Sequence, residues 1–298
     1  MTAVHKTSLF FSLFCLWLIS PVASAEPSEL QNSFAQQMAQ LEQEFGGRLG
    51  VAILNTEDDT QLHYHADQRF AMCSTAKFLL VSAVLAKVDA KQESMNRMVR
   101  YHRSDLLSYA PITRQYLQGE QGEMTIAQLS AAAIEYSDNT AANLLLNSIG
   151  GPQAVTDYLR RLGDRNTRLD RIEPYLNSNI PNDLRDTSTP ASMTELMHKL
   201  LVGNALSSPS KEQLTTWLLN NTTGTNKLRA GIPNHWPIGD KTGSGSNGAS
   251  NDIAILWPDS ESPVLIAVYH TDTHLPAESQ NQVFVEVGRI VSQMLAVH

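Results

Sequence analysis

The chain has 298 residues with 22 basic and 30 acidic side chains, a formal net charge of −8, and this balance argues against a nucleic-acid partner. Two cysteines cannot supply a disulfide framework, so an apolar core has to hold the fold, and the 42% of hydrophobic residues is ample for one compact unit or two interlocked lobes.

Residues 1–25 are predicted to be an export signal. A short polar start with His5 and Lys6 leads into the apolar run LFFSLFCLWLIS, and Ala23-Ser24-Ala25 supplies the small residues that a signal peptidase needs, with cleavage after Ala25. The run is short and soon meets Pro21, and no later segment is long and apolar enough to span a bilayer. Phe14 stands where a lipidated cysteine at position 15 would need a small residue. The expected product is therefore periplasmic or secreted, with no stable membrane association. Cleavage leaves Cys73 alone, which reads as a small buried apolar residue; a cysteine nucleophile would lack the His or Asn pattern it requires.

After the signal, ELQNSFAQQMAQLEQEF (29–45) has helical spacing and is stopped by Gly46-Gly47. RLGVAILNT and QLHYHAD are extended runs joined by the turn-forming EDDT, which predicts a hairpin. From Cys73 to about Leu219 the apolar residues recur mostly at helical spacing, as in TIAQLSAAAIEYS, NTAANLLLNSIG and PASMTELMHKLLVG. Gly150-Gly151-Pro152 stops one helix; Thr189-Pro190 opens another, where Ser192 and Glu195 also match a capping box. Extended runs return in NDIAILWP and PVLIAVYHTD, and FVEVGRIVSQMLAV closes the chain as an amphipathic helix. The order sheet, helices, sheet predicts a two-lobed α/β fold: an antiparallel sheet flanked by helices from the N- and C-terminal segments (26–66 plus 220–298), an inserted all-α lobe (67–219) with an Ω-type loop at 168–186, and the active site in the cleft between them.

Four stretches carry chemistry. In CSTAK, Ser74 and Lys77 fall one turn apart at the head of an apolar helix, so the amine can touch the hydroxyl. A buried lysine loses pKa and can activate a serine within hydrogen-bond reach. SPSK at 208–211 has the same spacing and reads as surface. YSDN (136–139) places a hydroxyl, a carboxylate and an amide in succession between two helices, which is also an ordinary capping set. DKTGSGSNG (240–248) sets Lys241, Thr242 and Ser244 among glycines that let a substrate approach the main chain. RLDRIEPYLNSNIPNDLRDTSTP (168–190) has little periodicity and needs its own ties; Arg171 with Asp186 and Asp170 with Arg185 are the expected pairs, leaving Glu173 and Asn177 to point inward. Glu173 precedes Pro174, so that bond can be cis. A zinc site built on His63, His65, His270 and His274 lacks the usual ligand spacing, and surface strand positions account for both pairs.

Taken together, S-x-x-K, S-D-N, E-P-x-L-N and K-T-G in this order resemble the class A serine β-lactamases across essentially the whole chain after the signal. The resemblance implies that Ser74 attacks the lactam carbonyl, with the backbone N–H groups of Ser74 and Ser244 as oxyanion hole. It gives Lys77 or Glu173 as the base for acylation, Ser137 as proton relay to the leaving nitrogen, and Glu173 with Asn177 as holders of the water that releases the acyl group. Asn139 would bind the substrate's side-chain amide, Lys241, Thr242, Gly243 and Ser244 its carboxylate, and Tyr109 would line the entrance. The partners implied are small β-lactams met by a monomer that uses no metal or other cofactor. Two departures stand out. Ser250 replaces an arginine that many relatives use for the carboxylate, and Lys227 is the candidate second cation; Gly245 replaces a cysteine that some carbapenem-hydrolysing relatives pair with the residue at Cys73. The G-S-G after K-T resembles relatives that accept bulky cephalosporins. A D,D-peptidase would share Ser74, Lys77, Ser137 and Lys241 without needing the Glu173 loop, and a β-lactam sensor would stay acylated.

Overall fold

The computed structural model describes residues 1–2, 29–258 and 262–296. The expected export signal, cleavage site included, therefore lies almost wholly outside the described residues.

One five-stranded antiparallel sheet organises the chain. Strand β1 (Arg48–Asn55) pairs with β2 (Gln61–Tyr64) through the expected hairpin, and on its other edge with β10 (Val264–Thr271), the partner of β9 (Ser250–Leu256), which in turn pairs with β8 (Ile238–Ser244). The two ends of the sequence thus meet in register, Val51 opposite Val268. β9 and β10 are buried along their whole length because both faces of the sheet are covered. Ala254, Leu256, Ile266 and Val268 pack with Phe34, Met38 and Phe284 of the terminal helices α1 (Glu29–Phe45) and α8 (Ala277–Leu295), while Ile253, Ile255, Leu265 and Tyr269 join the core of the other lobe.

That second core surrounds α2 (Ala76–Asp89), whose residues Ala76 to Leu85 are all buried. A helix apolar on every side belongs in the middle of a bundle, and α3 (Ile126–Glu135), α4 (Asn139–Ile149), α5 (Pro152–Arg161) and α7 (Ser208–Leu219) enclose it. The helical stretch also carries short strands: β3 (Phe70–Ala71) pairs with β7 (Thr187–Ser188), and β4 (Met98–His102), β5 (Leu117–Gln118) and β6 (Gln121–Thr125) form a small sheet.

Local signals resolve in instructive ways. Gly150 ends α4 in the left-handed region at φ 102°, and Pro152 starts α5. At α6 (Pro190–Met197) the cap is Thr189, whose side chain accepts from Ser192 N, and not the Ser192–Glu195 box. Pro190 claims the first helical turn, so the cap must precede it, and Glu195 pairs with Lys199 instead. Ser208–Lys211 opens α7 on the surface, with Lys211 Nζ donating to Val202 and Gly203 carbonyls. His270 departs from the surface position expected for it: it is fully buried in β10, its Nε2 2.8 Å from Gly46 O.

Candidate active site

Ser74 stands in a tight turn (Cys73–Thr75) that enters α2, and Lys77 lies in the first turn of that helix. The turn is held from the sheet: Asn251 Nδ2 on β9 donates to Ala71 O and Met72 O, both at 2.9 Å. Cys73 itself takes φ 48°, a conformation unusual for a residue with a side chain. Its Sγ faces Gly245, where a Cβ would come within 2.7 Å of the sulfur and 2.6 Å of Asn177 O. Burial, and next the nearby Glu173 carboxylate, push the Cys73 thiol up to about 12, so it is a protonated packing group and not a nucleophile.

Lys77 Nζ is the hub. It lies 2.6 Å from Ser74 Oγ, 2.6 Å from Asn139 Oδ1, 2.6 Å from Glu173 Oε1 and 3.4 Å from Ser137 Oγ. Lys77 is almost completely buried, and desolvation holds its pKa below the usual lysine range against the opposing pull of Glu173. Ser74 Oγ also points to Glu173 Oε1 at 3.5 Å, so two bases bracket one hydroxyl.

Ser137, Asp138 and Asn139 divide the work of the junction between α3 and α4. Ser137 sits at φ 57° and its Oγ accepts from Lys241 Nζ at 3.1 Å. Asp138 is structural: it caps α4 by accepting from Ala141 N, and also accepts from Ile112 N, Thr113 N and Thr113 Oγ1, all at 2.8–3.0 Å. Asn139 N donates to Tyr109 O at 3.1 Å, which places the half-exposed Tyr109 beside this junction.

Glu173 is 1% exposed, yet it rides on a loop, and the loop's ties explain how. Arg171 pairs with the buried Asp186 at 2.5 Å as the charges implied, and Asp186 Oδ1 also accepts from the backbone of Asp170 and Arg171. The second expected pair does not form. Asp170 pairs with Arg168 and Arg185 with Asp183, each two residues away, because short-range partners reach each other without crossing the loop. The Glu173–Pro174 bond is cis. Asn177 Nδ2 donates to Glu173 Oε2 at 2.5 Å. One residue was not singled out by its sequence: Asn143, which brackets the main chain of Glu173 by donating to its carbonyl and accepting from its N–H, both at 2.9 Å. Its spacing of four from Asn139, hence the same face of α4, was the available signal.

β8 forms the opposite wall. Lys241 is fully buried; desolvation, then the charge of Lys77, lower its pKa to about 7. Thr242 and Gly243 follow along the strand, and Ser244 is exposed opposite Ser250. Lys227 is buried behind that pair, with Nζ 2.8 Å from Ser250 Oγ, 3.0 Å from Asn251 O and 4.5 Å from the Phe284 ring centre. Desolvation lowers its pKa. A cavity of about 860 Å³ borders Pro174, Asn177, Gly245 and Ser246. The arrangement therefore unites a hydroxyl nucleophile, two candidate bases, a bridging hydroxyl between two amines, and a cationic strand edge, the parts an acyl transfer needs.

The family model described as the β-lactamase enzyme family matches residues 33–295. β-Lactamase OXY-1 of Klebsiella oxytoca is 46% identical over 264 residues, covering 89% of this chain and 90% of that protein. β-Lactamase CTX-M-8 of Citrobacter amalonaticus is 43% identical over 287 residues, covering 96% and 97%. Among solved structures, an ancestral class A β-lactamase superposes with a TM-score of 0.86 at 48% identity, covering 88% of this chain and 99% of that one. A class A β-lactamase described as putative, PenP from Rhodopseudomonas palustris, superposes with a TM-score of 0.85 at 47% identity, covering 88% and 99%.

Proposed function

This chain belongs to the β-lactamase enzyme family, class A, and from that footing we propose how its residues open and release a β-lactam. It is a serine β-lactamase: it hydrolyses the β-lactam ring of penicillins and cephalosporins and so confers resistance to them. The observation that carries the assignment of roles is the Ser74–Lys77–Glu173 cluster, in which one ammonium lies 2.6 Å from both nucleophile and carboxylate.

Ser74 Oγ attacks the lactam carbonyl carbon, the C–N bond breaks, and an ester to Ser74 remains. The Ser74 proton leaves to Lys77 or Glu173; the short Lys77–Glu173 contact lets Lys77 accept it after passing its own proton to Glu173. Ser137, bridging Lys77 and Lys241, delivers a proton to the departing nitrogen. The N–H groups of Ser74 and Ser244 receive the developing oxyanion. With Glu173 again ionised after returning any proton to Lys77, water oriented by Glu173 and Asn177 attacks the ester while Glu173 takes its proton, and the Ser74 C–O bond breaks as Ser74 Oγ regains a proton from Lys77. Asn139 binds the acylamide of the substrate, with Tyr109 at the entrance. Lys241, Thr242, Gly243 and Ser244 bind the ring carboxylate, with Lys227 reaching it through Ser250. The cavity bordered by Asn177, Gly245 and Ser246 supports access for bulky cephalosporins.

No helix among the described residues is long and apolar enough to cross a membrane. We place the mature protein in the periplasm or outside the cell as a monomer, released by cleavage after Ala25.

The deciding experiment is turnover of a chromogenic cephalosporin by the purified mature protein with intact mass followed throughout. Many turnovers with a transient mass increase are expected. One equivalent of product with a persistent adduct on Ser74 means a peptidase or a sensor. In Glu173→Gln the adduct should persist; deacylation at the parent rate would remove Glu173 from the water site.

A further inference from the structure

Thr242, assigned above to the substrate carboxylate, is the end of a chain of polar groups. Its Oγ1 lies 2.5 Å from Thr223 Oγ1. Thr223 Oγ1 donates to Asn221 Oδ1 at 2.9 Å, and Thr223 N donates to the same oxygen at 3.1 Å. Asn221 Nδ2 turns the other way and donates to Asp240 Oδ2 at 2.7 Å, while Arg229 closes on Asp240 Oδ1. Gly224 makes room for this approach, since a Cβ there would sit 1.7 Å from Asp240 Oδ2. Asn221 and Asp240 are buried, so the chain runs from the interior to the rim of the cleft.

Hydrogen counting sets the direction of this chain. Asp240 accepts at both oxygens, from a guanidinium and an amide, so Asn221 must offer its NH₂ to Asp240 and its carbonyl to Thr223. A threonine hydroxyl has a single hydrogen. While Thr223 spends it on Asn221, Thr223 can only accept from Thr242, and the Thr242 hydrogen points away from the cleft. For Thr242 to donate to a carboxylate, its hydrogen must turn outward and Thr223 must turn its own hydrogen from Asn221 Oδ1 to Thr242 Oγ1. Asn221 Oδ1 stays satisfied through Thr223 N–H. Both states are bonded throughout, and no proton leaves its oxygen.

We propose that Thr223 is a positioning residue that determines recognition of the ring carboxylate, its hydroxyl pair with Thr242 switching from inward to outward when the anion binds. The inference rests on the reading that Thr242 contacts that carboxylate. Hydrogen bonds in series polarise one another, so in the outward state Thr223 strengthens Thr242 as a donor. In the empty site the inward state spares Thr242 an unmade bond.

Steady-state kinetics of Thr223→Val, Thr223→Ser, Thr242→Val and the double valine variant, on benzylpenicillin and on its methyl ester, test the relay. Losing the Thr223 donor that holds and polarises Thr242 in the outward state predicts a KM for benzylpenicillin raised roughly 3- to 10-fold in Thr223→Val with kcat within about twofold. Thr223→Ser should restore the parent KM, the ester should be indifferent to the substitution, and the loss should vanish in the Thr242→Val background. Equal rises for acid and ester, or additive effects of the two valines, overturn the relay. If Thr242→Val raises the KM of the acid and Thr223→Val does not, the relay alone falls. If Thr242→Val leaves that KM unchanged, the carboxylate assignment falls and takes the relay with it.

Discussion

Asn143 holds Glu173 by the main chain on both sides, Nδ2 to the carbonyl and Oδ1 to the N–H, each at 2.9 Å. The loop carboxylate is thereby registered to α4, the helix that begins with Asn139, so both ends of the Lys77 contact set are carried by one rigid element. Asn143→Ala removes two part-buried bonds and should cost about 1–3 kcal/mol in urea unfolding. Because a shift of even an ångström at a reacting group is costly, deacylation should slow by about tenfold or more while acylation changes less. Single-turnover mass measurements separate the two steps; equal slowing of both would mean that Asn143 supports the fold and not the water site.

Lys241 loses its proton near pH 7, well below the 10.5 of a free lysine. As pH rises through about 7 the cation that we propose binds the carboxylate is lost, so KM for acid substrates should climb, at most about tenfold per pH unit. Lys241→Arg keeps its charge and should flatten that profile. The same shift has a sign for stability. The unfolded lysine keeps its proton up to its ordinary pKa, so between the two values the unfolded chain binds more protons and this site's contribution to stability rises with pH. Lys241→Met should therefore gain most over the parent below pH 7 and lose that advantage toward pH 10, as unfolding at several pH values would reveal. An advantage independent of pH would contradict the lowered pKa.

Asp138 lies in a motif that suggests catalysis, yet its side-chain hydrogen bonds go to backbone N–H groups and to Thr113. Asp138→Ala strips a fully buried cap of four donors and should destabilise by about 3 kcal/mol or more. Any surviving folded fraction should keep the acylation rate per active site. Titrating active sites against residual folded protein checks this; loss of rate per site would give Asp138 a chemical role.

Lys227 faces the cleft chiefly through Ser250 Oγ at 2.8 Å, with Gly243 O farther off at 3.5 Å. Lys227→Ala and Ser250→Ala should raise KM for acid substrates by similar factors, about 3- to 10-fold, and the double variant should be little worse than either. Additive losses would mean two independent contacts, and unchanged kinetics would take Lys227 out of the site.

Much of this was legible in one dimension. The helices follow from a period of 3.6 residues imposed by the buried face, whereas the closing strands, buried on both faces, read as short continuous apolar runs bounded by polar turns. The Ser74–Lys77 contact follows from one helical turn. Resemblance of the four motifs then linked positions that periodicity cannot connect.

Other features needed the folded chain. The two-residue pairs Arg168–Asp170 and Asp183–Arg185 won over the longer Asp170–Arg185 pair, a competition decided by loop geometry. The ties of Asn143 to Glu173 and of Thr223 to Thr242 join ordinary polar residues whose neighbours in sequence say nothing of them. The sequence by itself determined the family, the fold class and the residue types able to do the chemistry, because each depends on local spacing or on motifs read in order. Tertiary structure alone decided how those groups are protonated and aimed: the burial that lowers Lys77 and Lys241, and the hydrogen-bond partners that orient Glu173 and Thr242, exist only once strands from both ends of the chain and an inserted helical lobe close on one cleft.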